Sequence, residues 1–252
     1  MIQTINLTRK YGDFTAVNSL NLKVEKGEIF GFLGPNGAGK TTTIKMFAGI
    51  LVPTSGEAKI KGLSCHPKRH EIMRYTGYLP DELAFYDYLK GSEILEFVAR
   101  MHDIPVAESK AKAGALFERL ALSEASEEYA SNYSRGMKKK LGLACALIHD
   151  PEVIIMDEPT SGLDPIASRE ITGLIQELAA KGVTIFLSTH LLNQAEKLCH
   201  RVGIIDHGTL KAVGTVDELR EVMAPGGSLE EVFFAVTEEK EEQRKQQEQE
   251  KQ

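Results

Sequence analysis

Gly34-Pro35-Asn36-Gly37-Ala38-Gly39-Lys40-Thr41 fits the spacing Gly, four residues, Gly, Lys, then Ser or Thr. Glycines at that spacing let successive backbone N–H groups converge on phosphate oxygens, and the first turn of a following helix adds donors and a positive dipole end. Lys40 is then placed to bridge the β- and γ-phosphates of a nucleotide, and Thr41 to hold Mg2+. Further along, Asp157-Glu158 closes the apolar run 153–156. The C-terminal end of a buried strand is where an α/β sheet keeps its ligands. Asp157 can enter the Mg2+ shell, and Glu158 can face the γ-phosphate and polarise an attacking water. His190 follows a second apolar run, 183–187. A lone histidine there is ordinarily a satisfied polar residue. On the same sheet edge as the other two motifs, it could instead hydrogen-bond the γ-phosphate or hold Glu158 and water in line. The stretch Tyr133-Ser134-Arg135-Gly136-Met137-Lys138 leaves two readings open. Ser134 can cap a helix whose free N–H groups bind an anion, or it can cap an ordinary helix with exposed lysines.

These groups need elements to carry them. Residues 29–33 form a short apolar run that reads as a buried strand, and 42–50 reads as a helix with Ile44, Phe47 and Ala48 on one side. Strand, glycine loop and helix are the setting a phosphate loop requires. Before them, Ile5 and Leu7, then Leu20, Leu22 and Val24, alternate with polar residues as half-buried strands do, with Tyr11 on the loop between. Pro53-Thr54-Ser55-Gly56 is a turn and Ile60 lies in a strand. From about residue 88 to 149 the pattern is helical. Ile94, Leu95, Val98 and Met101 lie at helical spacing with Ser92 as the cap, 107–122 forms a second helix, and Leu141, Cys145 and Ile148 mark a third. Strand signals return at 153–156 and 183–187, and 202–205 with 210–213 reads as a hairpin around Asp206-His207-Gly208. Alternating strands and helices indicate a mostly parallel sheet covered on both faces. The expected organisation is one domain over 1–237, with a core at 1–86 and 150–220, a helical lobe at about 87–149 and an extension at 221–237. Residues 238–252, all Glu, Lys, Arg and Gln, read as a disordered tail or a frayed helix.

Composition narrows the function. The chain has 252 residues, 42% of them hydrophobic, and a formal net charge of −6, so no global basic field recruits nucleic acid. Cys65, Cys145 and Cys199 show no metal or redox spacing and read as packed thiols in a reducing compartment. The N-terminus lacks the apolar stretch of a signal peptide, and no run approaches the ~18 apolar residues of a spanning helix. Work at a membrane would therefore need another chain to bring this one there.

Taken in order, these motifs resemble the ATP-binding-cassette ATPases, the nucleotide-binding subunits of ABC transporters. The resemblance covers roughly residues 2–217. It rests on Tyr11, the loop 34–41, Tyr78-Leu79-Pro80-Asp81-Glu82, the segment 133–137, Asp157-Glu158, Ser161-Gly162-Leu163-Asp164 and His190. It implies a phosphate-loop NTPase core with a mostly parallel sheet, an antiparallel β subdomain and an inserted helical lobe. It implies that Tyr11 stacks on adenine. Gly34, Pro35, Asn36, Gly37, Ala38, Gly39, Lys40, Thr41 and Thr42 would wrap the phosphates, with Thr41 and Asp157 at Mg2+. Glu158 would be the catalytic base and His190 the γ-phosphate sensor. Ser134 and Gly136 would bind ATP held on a second, facing subunit, with Asp164 at the same interface.

Two departures stand out. The family signature is usually Leu-Ser-Gly-Gly-Gln, whereas this chain reads Tyr-Ser-Arg-Gly-Met, and Asp81 stands where a glutamine usually touches Mg2+ and the membrane partner. By resemblance Asp81 is also assigned to the metal. The signature form, the Leu-Pro-Asp-Glu segment and Leu229-Glu230-Glu231-Val232-Phe233 look like bacterial subunits paired with export-type permeases. The expected protein is cytoplasmic and peripheral on the inner face of the cell membrane, held there by its permease, with no nucleic-acid partner. The alternative is a soluble cassette acting on ribosomes or DNA. It is disfavoured by the acidic charge, by a single copy of each motif and by the lack of sustained heptads between Lys40 and Ser134.

Overall fold

The computed structural model describes residues 1–237. The chain opens with the strands β1 (Ile2–Tyr11), β2 (Phe14–Val24) and β3 (Ile29–Leu33), followed by helix α1 (Lys40–Phe47). Strands β4 (Ser55–Ile60) and β5 (Leu63–Ser64) precede the short helix α2 (Arg69–Met73) and strand β6 (Thr76–Leu79). Three helices come next, α3 (Gly91–Met101), α4 (Val106–Arg119) and α5 (Arg135–Leu147). The remainder alternates: β7 (Val153–Asp157), α6 (Pro165–Ala180), β8 (Thr184–Thr189), α7 (Leu192–Leu198), β9 (Arg201–Asp206), β10 (Thr209–Gly214) and α8 (Val216–Met223). Residues 229–237 are helical, and the predicted tail 238–252 lies outside the described residues.

Two sheets result. The larger has strand order β10-β9-β3-β8-β7-β6, and the smaller has order β2-β1-β4-β5. All neighbours in the large sheet are parallel except β10, which returns antiparallel on β9. The small sheet is antiparallel throughout. Strands β3, β7 and β8 are buried at every position, which is why they read as unbroken apolar runs rather than alternations. Between the two sheets the rings of Phe30, Phe32 and Phe47 all pack on Phe186, with centroids 5.0 to 5.7 Å apart. On the opposite face, Ile94, Leu95, Phe117 and Leu141 from α3, α4 and α5 share one apolar cluster with Leu33, Met156 and Ile175. The helices inserted between β6 and β7 thus have no core separate from the sheet.

Several local expectations change. Ile5, expected inward with Leu7, is 38% exposed, because Asn6 takes φ 46° and the pairing slips between Thr4 and Leu7. That bulge inserts a residue and turns Ile5 outward. Tyr11 ends strand β1, paired with Phe14, instead of lying on a loop. Helix α1 begins at Lys40, earlier than the 42–50 span, and Ile50 is exposed beyond its end. Ser92 does not cap α3. Lys90 holds the cap position, its N–H donating to the Glu93 carboxylate at 2.8 Å, while the N–H groups of Gly91 and Ser92 donate to Glu128 and Ser126 carbonyls. A neighbouring loop satisfies the orphan donors of the first turn, so no hydroxyl is needed there. Burial pushes the three cysteine thiols up to about 12, which leaves them inert. Among the described residues no helix is long and apolar enough to cross a membrane.

Candidate active site

The loop between β3 and α1 can wrap an anion because Gly39 takes φ 104°, and a Cβ there would stand 2.4 Å from the Ala16 carbonyl oxygen. Only glycine fits this backbone without strain. The loop lines a cleft of about 320 Å3 together with Tyr11, Phe14, Ala16, Lys40, Thr41, Thr42, Asp81 and Glu158. Tyr11 is half exposed, with the Arg9 guanidinium 4.6 Å from its ring centroid. Phe14, which sequence reasoning missed, stands beside Tyr11 because the two are paired across the hairpin. The only advance signal was an aromatic on each side of Gly12-Asp13.

Lys40 is buried to 6% exposure, and its Nζ donates to the Gly34 and Pro35 carbonyls at 2.7 and 3.1 Å. The same ammonium lies 3.6 Å from Glu158 Oε1. Strand β7 carries Asp157 into the interior at its C-terminal end, where Oδ1 accepts a hydrogen bond from Ser188 Oγ at 2.5 Å. Asp157 Oδ2 is buried with no hydrogen-bond partner. A buried carboxylate oxygen without a donor is costly, and a cation is the partner it lacks. Mg2+ therefore fits this position, with the Thr41 hydroxyl on the first turn of α1 lining the same cleft.

Glu158 follows with φ 47°, a left-handed backbone that costs about 1–3 kcal/mol for a non-glycine residue. Its N–H donates to Ser188 Oγ at 3.1 Å, and its Oε2 lies 2.9 Å from His190 Nδ1. Strand β8 thus holds both carboxylates: Ser188 through its hydroxyl, and His190 from just past the strand end. Ser188 was also missed, as a serine on a strand carries no signal until β7 and β8 are known to be neighbours.

The other predicted residues lie elsewhere. Ser134 caps α5, its Oγ accepting from the Met137 N–H at 3.2 Å, and Asp164 caps α6, its Oδ1 accepting from Ile166 and Ala167 N–H groups at 2.9 Å each. The Ala167 N–H, foremost, holds the Asp164 carboxyl below its ordinary range. Gly136 sits on the first turn of α5, across from Ala167. None of Ser134, Gly136 and Asp164 lines the cleft around the phosphate loop. Arg135 covers Gly162: a Cβ at Gly162 would fall 2.5 Å from the guanidinium carbon. Asp81 does line the cleft, but its Oδ1 faces the ammonium of Lys139 at 3.4 Å.

The family model described as "ABC transporter" matches residues 17–161. The chain is 37% identical over 237 residues to the probable multidrug ABC transporter ATP-binding protein YbhF of Escherichia coli (strain K12), covering 92% of this chain and 41% of that relative's length. It is 36% identical over 219 residues to the linearmycin resistance ATP-binding protein LnrL of Bacillus subtilis (strain 168), covering 87% of this chain and 70% of the relative. A solved structure described as the ATP binding subunit of an ABC transporter superposes with a TM-score of 0.87 at 31% identity, covering 94% of this chain and 99% of that one. A family match over more than half the chain, joined to a curated relative spanned over most of its length, establishes that this protein belongs to the ABC transporter family.

Proposed function

We propose that this chain binds ATP with Mg2+, hydrolyses it between two facing cassettes, and drives a separate membrane-spanning permease, in the direction of export. The observation that carries the reading is the convergence of Lys40, Glu158 and His190 at one sheet edge beside the phosphate loop. Lys40 rests on the loop carbonyls and faces Glu158. Phosphate oxygens are stronger acceptors than carbonyls, so an entering nucleotide draws the ammonium to the β- and γ-phosphates and frees Glu158 Oε1. Glu158 then takes a proton from a water as that oxygen attacks the γ-phosphorus. The bond from phosphorus to the β-γ bridging oxygen breaks, and ADP leaves. His190 fixes the carboxylate through Oε2, and Ser188 fixes the peptide that carries it. Tyr11, with Phe14 next to it, offers the adenine a stacking face. Asp157 and Thr41 would hold Mg2+, which supplies charge neutralisation on the phosphates.

Three further features support the larger assembly. Ser134, Gly136 and Asp164 stand outside this chain's own phosphate cleft, as residues that complete a partner's site would. The E. coli and B. subtilis relatives are named for multidrug transport and linearmycin resistance, which favours export. A chain without a membrane-crossing helix among its described residues needs a permease to reach a cargo, and would sit on the cytoplasmic face of the membrane.

Glu158→Gln tests the mechanism. It should abolish steady-state phosphate release while ATP still binds, because the carboxamide keeps the shape but cannot take the proton. Lys40→Ala should instead weaken ATP binding itself, by about tenfold or more. Sustained turnover by the Glu158→Gln variant, measured as released phosphate, would remove Glu158 from its role.

A further inference from the structure

Three consecutive lysines, Lys138, Lys139 and Lys140, follow the first turn of helix α5. Lys140 pairs with Glu170 on α6. Lys139 turns inward: its side chain is 5% exposed, and its ammonium reaches two segments at once. Nζ donates to the Asp81 carbonyl at 3.0 Å, the Pro80 carbonyl at 3.4 Å and the Asp157 carbonyl at 3.5 Å, and lies 3.4 Å from Asp81 Oδ1.

We propose that Lys139 is a positioning residue of the hydrolytic site, and that its ammonium, rather than a metal ion, is the partner of the Asp81 carboxylate. The inference rests on the ATPase reading above. A buried ammonium persists only where acceptors and an opposite charge surround it, and Asp81 supplies that charge from the rim of the cleft. A divalent cation on the same carboxylate would stand close to a fixed positive charge, which disfavours it. The ammonium meets Asp157 only through its backbone carbonyl, and Asp157 Oδ2 accepts no hydrogen bond, so the metal and the ammonium divide the two carboxylates between them.

The carbonyl of Asp157 belongs to the peptide that leads into Glu158, whose backbone is strained. Holding that carbonyl fixes the plane from which the Glu158 side chain is aimed. The same ammonium ties the end of β6 to the start of α5, so movement of α5 is transmitted to the peptide before Glu158.

The test uses the full chain in two arms. In the first, binding of a methylanthraniloyl-labelled ATP is titrated against Mg2+. Asp81→Asn should leave the half-saturating Mg2+ concentration within about twofold of the parent, whereas a rise of about tenfold would return Asp81 to the metal and overturn the proposal. This half-exposed position tolerates the substitution, so the arm stands even if the second variant folds poorly. In the second arm, Lys139→Met should lower kcat by about tenfold or more, with the KM for ATP within about threefold. Unchanged kcat in a folded Lys139→Met protein would overturn the positioning role, as would a loss confined to KM. Failure of the ATPase reading would show differently, in a parent chain that neither binds nor splits ATP.

Discussion

At the scale of single residues, the site depends on contacts that satisfy buried charge. Ser188 is the clearest case, since one hydroxyl donates to Asp157 Oδ1 and accepts from the Glu158 N–H. Ser188→Ala leaves a buried carboxylate oxygen and a buried N–H without partners at a strand that is fully enclosed. The loss should be about 1–3 kcal/mol of stability, read from urea unfolding. Phosphate release should fall as well, because the peptide carrying Glu158 is no longer held. Replacement by Thr, which keeps the hydroxyl, should recover part of both. A Ser188→Ala variant equal to the parent in both measurements would show that Ser188 does not hold the carboxylates.

At the scale of elements, the helices between β6 and β7 are also tied to one another at their ends. His102 follows α3 and His149 follows α5, and their rings stack with centroids 3.8 Å apart and an interplanar angle of 4°. Burial, and then the neighbouring His102, push His149 from its ordinary 6.5 down to about 4, while burial also lowers His102. Asp150 and the Thr76 carbonyl oppose that shift, and Lys112 adds to it. The folded chain therefore refuses a proton that the unfolded chain accepts between about 6.5 and about 4. Stability is full above the ordinary histidine value and declines as the pH falls through that window. Unfolding midpoints in urea should drop between about pH 7.5 and about pH 5, and His149→Gln should flatten the drop. An equally steep decline in that variant would place the proton uptake elsewhere.

At the scale of the whole molecule, the cleft beside the phosphate loop and the residues around Ser134 belong to different parts of the surface. If they meet across two copies, closure depends on ATP. In the Glu158→Gln background, ATP should shift the protein from monomer to dimer in size-exclusion chromatography. Adding Ser134→Arg should keep it monomeric while ATP binding to the single chain persists. If Ser134 only caps α5, the dimer would form regardless and the cost would be limited to about 1 kcal/mol of helix stability.

The glycine loop, the carboxylate pair and the buried strands could be read directly from the chain, because each depends on residues within one short stretch. A phosphate-binding turn needs its glycines in order, and a strand covered on both faces needs an unbroken apolar run. The partners of those groups could not be read that way. Lys139 and Asp81 are 58 positions apart, and Ser188 and Asp157 are 31 apart. Nothing in the lysine run distinguishes the middle member from its neighbours until α5 is laid beside β6 and β7. The first turn of α3 likewise found its acceptors on a loop more than thirty positions away, where local spacing had pointed to a serine cap. Adjacency along the chain determines which groups are present, whereas folding brings distant segments together and so decides which buried charge each group must answer.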